Sequence, residues 1–163
     1  MELPVTNVTI RRWNKDHLHW ETLSTLIDHL GQVDWVNFHA EWHLDSVMLV
    51  AHDDNEPLGF LRYVIQEIGA DADLASIRLN NKILRESKVI AFGVNETMRR
   101  QGIGRQLQQA LIEHSRQAGC YQIRSHSSLE NKANHHLKLS MGYAVHPLVS
   151  SQHKDGFFFV LPL

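Results

Sequence analysis

The fold is decided by Val89-Ile-Ala-Phe-Gly-Val94, which continues as Asn95-Glu-Thr-Met-Arg99-Arg-Gln-Gly102-Ile-Gly104-Arg105. The apolar first part is typical of a central β-strand. The segment after Gly102 has the apolar spacing of an amphipathic helix. Because a strand, a tight loop and a glycine-started helix follow one another, several backbone N–H groups are expected to point the same way without intrahelical partners. The stretch therefore predicts an anion site at the beginning of the helix.

Glycines and arginines give this loop the properties of a pyrophosphate site. Gly102 and Gly104 let the backbone approach a bulky ligand closely. Arg99, Arg100 and Arg105 add positive charge near the positive end of the helix dipole. The alternative is an ordinary glycine-started helix with solvated arginines. Signatures for a dinucleotide, G-x-G-x-x-G, or for a nucleoside triphosphate, G-x-x-x-x-G-K-[ST], are absent from the sequence.

Two segments resemble the GCN5-related N-acetyltransferase (GNAT) superfamily. Arg99-x-x-Gly102-x-Gly104 fits the superfamily's Q/R-x-x-G-x-G/A signature for the coenzyme A pyrophosphate, and it lies between a strand and a helix as that family requires. A later segment is similar to the family's N-x-x-x-A-x-x-x-Y-x-x-x-G-F/Y type, and it reads Asn131-Lys-Ala-Asn-His-His-Leu-Lys138-Leu-Ser-Met-Gly142-Tyr143. Together the two segments cover most of residues 86–145.

The resemblance implies an α/β fold in which a mixed, splayed central β-sheet is flanked by helices, the acyl-CoA N-acyltransferase-like fold, with residues 1–163 as one domain. It also implies acetyl-CoA as cosubstrate, with the pantetheine arm in a slot between the strand that ends at Val94 and the strand that begins at Tyr121. The residues that it implies for cofactor binding are Phe92, Gly93, Val94, Arg99, Arg100, Gln101, Gly102, Ile103, Gly104, Arg105 and Asn131.

The implied reaction is direct attack of an acceptor amine on the thioester, which needs a proton for the departing thiolate. Many family members have a tyrosine four residues before the closing glycine, and this chain has Lys138 there. A lysine whose pKa is lowered by burial can protonate or stabilise a thiolate, whereas a solvated helix residue is the alternative. The candidates for the general base are Glu86, Glu67 and His126, whose imidazole has an ordinary pKa near neutrality.

These features predict an acetyl-CoA-dependent N-acetyltransferase that acts on an amine of an unidentified acceptor. One alternative is a non-catalytic acyl-CoA-binding or regulatory module that has kept the donor site. Another is an enzyme of the same kind with a different nucleophile or acyl group.

Composition excludes several other classes. Sixteen Lys and Arg against 18 Asp and Glu give no general attraction to a phosphate backbone, so nucleic acid is not an expected partner. The single cysteine, Cys120, precludes an internal disulfide. The sequence has no leader-like start and no apolar run of membrane-spanning length, so we expect a cytoplasmic protein without a membrane partner. The family resemblance is compatible with a homodimer.

Apolar periodicity predicts the order β-α-α-β-β-β-α-β-α-β-β. Asn80-Asn81 is expected to form a two-residue turn between short strands. It lies within residues 69–87, a segment that looks like an insertion or an elaborated connection and that is a candidate lid. The expected strands are 5–13, 47–51, 58–65, 89–94, 121–127, 143–149 and 157–161, and the expected helices are a first one from Lys15 carrying Leu18, Leu23, Leu26, Ile27 and Leu30, then 33–43, the helix after Gly102, and 131–141.

The predicted second helix carries two further patterns. His39 and His43 are four residues apart, a spacing that can present two metal ligands to one side. No H-E-x-x-H pattern and no third ligand accompany them, so no metal is expected. Trp35, Phe38 and Trp42 fall on one face of the same helix, and we expect them to pack against the sheet.

Overall fold

A computed structural model describes residues 7–147 and 156–163. The elements are β1 (Thr9–Trp13), α1 (Trp20–His29), α2 (Val33–Asn37), β2 (Asp45–Asp53), β3 (Glu56–Glu67), β4 (Arg78–Leu79), β5 (Lys82–Ile83), β6 (Arg85–Val94), α3 (Ile103–Gln117), β7 (Gln122–Ser128), α4 (Lys132–Ser140), β8 (Ala144–Pro147) and β9 (Gly156–Pro162). Within these residues the predicted order of elements is confirmed, with the short hairpin β4–β5 added to it. Residues 5–6 and 148–149 of the predicted strands lie outside the described part.

Seven strands form one mixed sheet in the order β1-β2-β3-β6-β7-β9-β8, and the predicted α/β fold with a central sheet flanked by helices is confirmed. β6 and β7 are parallel, whereas β7 and β9 are antiparallel. The β6–β7 pairs begin with Glu86 opposite Gln122 and end with Val89 opposite Ser125, although β6 continues to Val94. The slot between the two strands stays a prediction.

The contacts divide the chain into two compact units, so the single-domain organisation stays a prediction. The first unit comprises residues up to Phe38, Val47–Arg62 and Ala91–Leu111. Burying each large apolar side chain contributes about 1.5–3 kcal/mol, so the core of this unit stabilises its helices and strands. That core contains Trp13, Leu23, Leu26, Ile27, Met48, Val50, Phe60 and Ala91.

The second unit comprises His39–Ser46, Tyr63–Ile90 and the residues from Ile112 onward. Its buried apolar side chains include Tyr63, Val64, Ile123, Tyr143 and Phe159. Within the part of the chain that the structure describes, no helix is both long and apolar enough to cross a lipid bilayer.

A chain of three small polar side chains is buried in the second unit. Ser115 Oγ donates to Ser87 Oγ at 2.7 Å, and Ser87 Oγ donates to Cys120 Sγ at 3.5 Å. Cys120 is 7% exposed. Burial raises the pKa of its thiol. The chain's single cysteine is therefore a packed core residue in its thiol form.

The predicted helix 33–43 was wrong in length, because α2 ends at Asn37 and Phe38 has extended backbone angles. The guanidinium of Arg62 explains this end. Its Nη1 atom donates to the carbonyl oxygen of Trp35 at 2.8 Å, which a continuing helix would have used for the N–H of residue 39. The carbonyl at the end of the short helix is thereby satisfied without a further turn.

Because the helix is shorter, its three aromatic residues are exposed, and the prediction that they pack against the sheet was wrong. Trp35 is 53% exposed, and Phe38 and Trp42 are each 42% exposed. A helix of five residues cannot turn all three rings toward one surface. Leu18 is likewise exposed, because α1 begins only at Trp20.

His39 and His43 do not lie on a helix, so the predicted i, i+4 presentation is lost. Instead the backbone N–H of Ala40 donates to His43 Nδ1 at 3.3 Å within a turn. Among residues 7–147 and 156–163 no group of three His, Cys, Asp or Glu side chains is placed to hold a metal.

The predicted two-residue turn at Asn80-Asn81 is confirmed. Both residues have positive φ angles, 48° and 64°, and they connect the antiparallel strands β4 and β5. Two consecutive positive φ angles are typical of the type I′ turn that matches the twist of a hairpin, and asparagine tolerates them. The predicted insertion is shorter than 69–87, since residues 85–87 belong to β6. Its function as a lid stays a prediction.

Candidate functional site

The end of β6 packs closely against β3, and two glycines make this possible. A Cβ atom on Gly93 would lie 2.8 Å from Leu30 Cδ1 and 3.2 Å from Phe60 Cζ. A Cβ atom on Gly59 would lie 3.0 Å from the carbonyl oxygen of Gly93. The backbone N–H of Asn95 then donates to Leu58 O at 2.8 Å, so β3 holds β6 up to its last residue. The backbone of 92–94 is therefore rigidly supported on that side.

The loop after β6 is shaped by local hydrogen bonds and two residues with left-handed backbone. The side chain of Asn95 accepts from the N–H of Thr97 at 3.2 Å and starts the short 3-10 turn Glu96–Met98. Arg99 Nε donates to Val94 O at 3.3 Å. Arg100 has a φ angle of 63° and Gly102 one of 81°. Such alternating conformations make concave arrays of N–H groups that bind anions.

Helix α3 begins directly after this loop. Ile103 is buried and anchors the first turn, whereas Arg99, Arg100 and Arg105 are exposed. The first N–H groups of a helix have no partner within the helix, and they carry the positive end of its dipole. The structure thus brings the predicted residues 92–94 and 99–105 together as a strand end, a loop and a helix start. Two arginines in the loop, a third in the first turn of α3 and the positive helix end favour a phosphate group.

Lys138 is buried rather than solvated. It lies on α4 in the second unit, is 1% exposed, and its Nζ atom donates to Ser125 Oγ at 2.5 Å. The Nζ atom also lies 5.4 Å from the centre of the Phe159 ring. Burial lowers the pKa of Lys138 to about 7. An amine with this pKa exchanges its proton near neutral pH, as an acid or base catalyst requires.

Glu86 is not available as a general base. The sequence suggested that it precedes the central strand, but it lies within β6 and is fully buried. Its carboxylate accepts from Arg124 Nη2 at 2.7 Å, from Gln122 Nε2 at 2.8 Å and from Gln66 Nε2 at 3.0 Å. These donors occupy the carboxylate oxygens of Glu86, so they are not free to accept a proton from a substrate amine.

The other two candidates for the base lie in the second unit. Glu67 accepts a hydrogen bond from Ser76 Oγ at 2.5 Å. His126 is exposed on β7, and its ring lies edge-on to Phe158 with the centres 5.7 Å apart. Its exposure leaves His126 the better candidate, and its role stays a prediction.

Asn131, predicted to contact the pantetheine arm, begins helix α4. Its side chain accepts from the N–H of Asn134 at 3.3 Å, which is the usual hydrogen bond of an N-cap asparagine. The side chain of Asn134 in turn donates to Ser127 Oγ at 3.1 Å. Asn131 is exposed, and its contact with a ligand stays a prediction.

A cluster of charges in the second unit was not predicted from the sequence. Asp71 forms ion pairs of 2.6 Å with both Lys88 Nζ and Arg124 Nη2. Burial raises the pKa of Asp71, but the hydrogen bonds from Lys88 and Arg124 outweigh it and hold the pKa at about 2. The cluster joins the 3-10 turn Ala70–Ala72 to the sheet. The sequence pattern of β7 could have indicated this cluster, because the polar residues Gln122 and Arg124 alternate with the buried Ile123.

Comparison with known sequences identifies a family. The sequence model of the Acetyltransferase (GNAT) family matches residues 12–143. No curated protein sequence matches the chain.

Solved structures share the fold at low sequence identity. Arabidopsis thaliana NAA60 in complex with acetyl-CoA has a TM-score of 0.69 and 20% identity over 96% of this chain and 100% of that chain. The PaiA N-acetyltransferase from Thermoplasma acidophilum, in complex with coenzyme A, has a TM-score of 0.68 and 14% identity over 96% and 99%. The GNAT domain of PAT from S. lividans has a TM-score of 0.69 and 18% identity over 96% and 90%. The family match covers most of the chain and includes residues 99–105, so this protein belongs to the GNAT acetyltransferase family.

Proposed function

We propose that the protein transfers an acetyl group from acetyl-CoA to an amine of an acceptor by direct attack on the thioester. The observation that carries this proposal is the loop between Val94 and Ile103 together with the first turn of α3. Two residues of the loop have left-handed backbone, two arginines lie in the loop and a third lies in the first turn of the helix. The family match supports acetyl transfer, and similar structures named as an N-acetyltransferase and as an acetyl-CoA complex support the donor and the amine acceptor.

The donor is bound mainly by backbone groups in this proposal. Residues 99–105 hold the pyrophosphate through N–H groups and the arginine side chains. The supported backbone of 92–94 pairs with the amide groups of the pantetheine arm as an added strand would. Asn131 contacts the arm as well. The long contact fixes the thioester and so lowers the entropic cost of the reaction.

Lys138 supplies the proton in this mechanism. The amine attacks the carbonyl carbon of the thioester, and the carbon–sulfur bond breaks. The departing thiolate takes a proton from the ammonium of Lys138, whose pKa of about 7 makes it a far stronger acid than an ordinary lysine. His126 removes the proton from the attacking amine, directly or through a water molecule. We further propose that these steps take place in the cytoplasm.

A calorimetric titration with acetyl-CoA tests the donor site. The Gly102→Glu, Gly104→Glu double variant places two carboxylates in the proposed pyrophosphate site. Gly119→Glu is the matched control, because Gly119 also has a positive φ angle of 74° and open space around it, and it follows the opposite end of α3. We expect the parent and the control to bind and the double variant to lose binding.

A second assay, which follows the titration, tests the wider function. If the parent binds acetyl-CoA, chromatography of free CoA after addition of small amines and peptides with free N-termini identifies the acceptor class. Turnover with any amine excludes a non-catalytic binding module. Absence of binding by the folded parent would contradict the proposed function.

A further inference from the structure

Helices α1 and α2 leave a cavity between them, here called the α1–α2 cavity. Its volume is about 240 Å³, and all the residues that line it belong to the first unit. Its walls are mostly apolar, with Trp20 and Ile27 on α1 and Val33 and Val36 on α2. Ile27 is 4% exposed, whereas Val33 is 38% exposed, so the cavity extends from the core to the surface. A ligand can therefore enter it directly from solvent.

The shape of the α1–α2 cavity is fixed by the packing of the two helices. In the turn between them the N–H of Gln32 donates to Ile27 O at 3.0 Å. Trp20 and Val36 line the cavity and also pack against the apolar core of the first unit. The walls are therefore in place before a ligand arrives, and a preformed site loses less conformational entropy on binding.

Three polar side chains, those of Lys15, Ser24 and Asn37, complete the lining of the cavity. Lys15 lies in the loop before α1, Ser24 is half-buried on α1, and Asn37 is the last residue of α2. Within residues 7–147 and 156–163 none of these three side chains has a hydrogen-bond or ion-pair partner. Each of them can donate a hydrogen bond, and the lysine adds a positive charge. The residues that line the cavity include no Asp or Glu.

This chemistry selects one class of ligand. A single lysine compensates one negative charge, and the ammonium, hydroxyl and amide groups can donate to the oxygens of a carboxylate. The apolar walls favour a hydrocarbon chain, because burial removes its surface from water. An apolar cavity of about 150 Å³ holds benzene, so a cavity of about 240 Å³ suits a ligand of about ten non-hydrogen atoms.

We propose that the α1–α2 cavity is a binding site for a small aliphatic monocarboxylate. The hydrocarbon chain lies against Ile27, Val33 and Val36, and Lys15 binds the carboxylate. This site does not rest on the proposed function. None of the residues that line it belongs to 92–94 or 99–105, the segments proposed for the donor.

The first test is a calorimetric titration of the parent protein with octanoate, which has ten non-hydrogen atoms. Octylammonium, which has the same chain and the opposite charge, is the matched ligand. We expect one octanoate to bind per chain with a Kd below about 1 mM, and octylammonium to bind at least about tenfold more weakly. Absence of saturable octanoate binding by the folded parent, or equal affinity for the two ligands, would overturn the proposal.

The second test places the ligand in the cavity. Ser24→Leu fills the space between the helices, and Thr22→Leu is its control, because Thr22 is exposed on α1 and does not line the cavity. We expect Ser24→Leu to lower octanoate affinity by at least about tenfold and Thr22→Leu by less than about twofold. Equal affinity of the two variants would overturn the site. Methyl NMR of the parent needs no variant, and octanoate should shift the signals of Ile27, Val33 and Val36 more than those of Val64 and Ile123 in the second unit.

The third test measures the contribution of the charge. Lys15→Met keeps a side chain of similar length, and Lys132→Met, at an exposed position of α4, is the control. We expect Lys15→Met to lower octanoate affinity by about five- to tenfold and Lys132→Met to leave it as it is. An unchanged affinity of Lys15→Met would contradict the selection of an anion.

The outcomes separate this site from the proposed function. If octanoate displaces acetyl-CoA and binds Ser24→Leu as well as it binds the parent, the carboxylate lies in the donor site and the inference is overturned. If the folded parent binds octanoate in the α1–α2 cavity but does not bind acetyl-CoA, the inference stands and the proposed function fails.

Discussion

The ammonium nitrogen of Lys138 and the hydroxyl oxygen of Ser125 are 2.5 Å apart inside the second unit, and this hydrogen bond joins two buried side chains. A neutral hydroxyl compensates poorly for the loss of hydration of a full charge. The protein therefore carries a costly residue in its core. Costs of this kind are typical of functional sites, where stability is exchanged for a useful pKa.

Replacement of Lys138 by methionine should stabilise the protein at low pH. The pKa of Lys138 is lowered from an ordinary 10.5 to about 7. Folding is therefore penalised fully below pH 7, where the folded state must hold the charge, and the penalty is lost as pH rises from about 7 to 10.5. We expect Lys138→Met to gain about 1–3 kcal/mol of unfolding free energy at about pH 6, after the loss of the hydrogen bond to Ser125 is counted.

Urea unfolding at about pH 6, 8 and 10 measures this effect. The gain should shrink as pH rises. Lys132→Met, at an exposed position of the same helix, is the control and should leave the pH dependence as it is. A gain that is constant across this range would show that Lys138 has the same pKa in the folded and the unfolded state.

The same variant should lose most of its acetyl transfer. If Lys138 protonates the thiolate, Lys138→Met lowers kcat by about a hundredfold, which is at the low end for general acid catalysis. The parent should also show a falling limb of kcat near pH 7, because the ammonium is lost there. Steady-state kinetics across pH, with the amine saturating, measure this limb. If the Lys138→Met variant kept it, Lys138 would not be the group that protonates the thiolate.

Substitution of two comparable glycines distinguishes an effect on stability from an effect on donor binding. Gly102 and Gly31 have positive φ angles of 81° and 66°, and a Cβ atom at either position meets open space. Alanine should therefore cost about 1 kcal/mol of stability at each position, from backbone strain alone. Only Gly102→Ala should also weaken acetyl-CoA binding, by about tenfold, because it distorts the loop before α3.

Thermal unfolding and calorimetry of both variants test this pair. Gly31 ends helix α1, where its N–H donates to Asp28 O at 2.9 Å, so its substitution probes the same kind of strain away from the loop. Equal loss of affinity in the two variants would mean that Gly102 acts through general stability.

Asp71 should control stability in acid. Its pKa of about 2 lies below the ordinary value of 3.8, so the stability from its ion pairs is complete above about pH 4 and is lost as pH falls toward 2. Asp71→Asn should cost about 1–3 kcal/mol at neutral pH, because it removes the ion pairs with Lys88 and Arg124 and leaves Arg124 paired with Glu86.

The control for Asp71 lies two residues away. Asp73 is exposed with a φ angle of 52°, a conformation that asparagine adopts as readily. Asp73→Asn should change neither neutral stability nor its loss in acid, as measured by urea unfolding between about pH 2 and 7. Similar effects of the two variants would assign the stability to net charge rather than to the ion pairs of Asp71.

Local chemistry made part of the fold predictable. The turn at Asn80-Asn81 depends on backbone angles that few residues adopt, so its signal is specific. The prediction of the second helix, 33–43, failed for the opposite reason. Its true end depends on Arg62, which is distant in sequence and donates to Trp35 O. Periodicity within a segment contains no information about such a partner.

The candidate site was predictable to the same extent. The loop of residues 99–105 is contiguous, so its glycines and arginines could be interpreted together. The partners of Glu86 and of Lys138 come from other strands, and only the fold brings Arg124 and Ser125 to them. The lowered pKa of Lys138 depends on burial by this packing, so the sequence could suggest the shift but could not establish it.

The buried position of Cys120 has a practical consequence for enzymology. Chromogenic disulfide reagents react with thiolates. The thiol of Cys120 is only 7% exposed, and burial raises its pKa. The folded protein should therefore give no colour of its own, and every thiol counted during turnover comes from the product. Denaturant exposes the chain's single cysteine, so the same reagent also counts unfolded molecules in the cuvette.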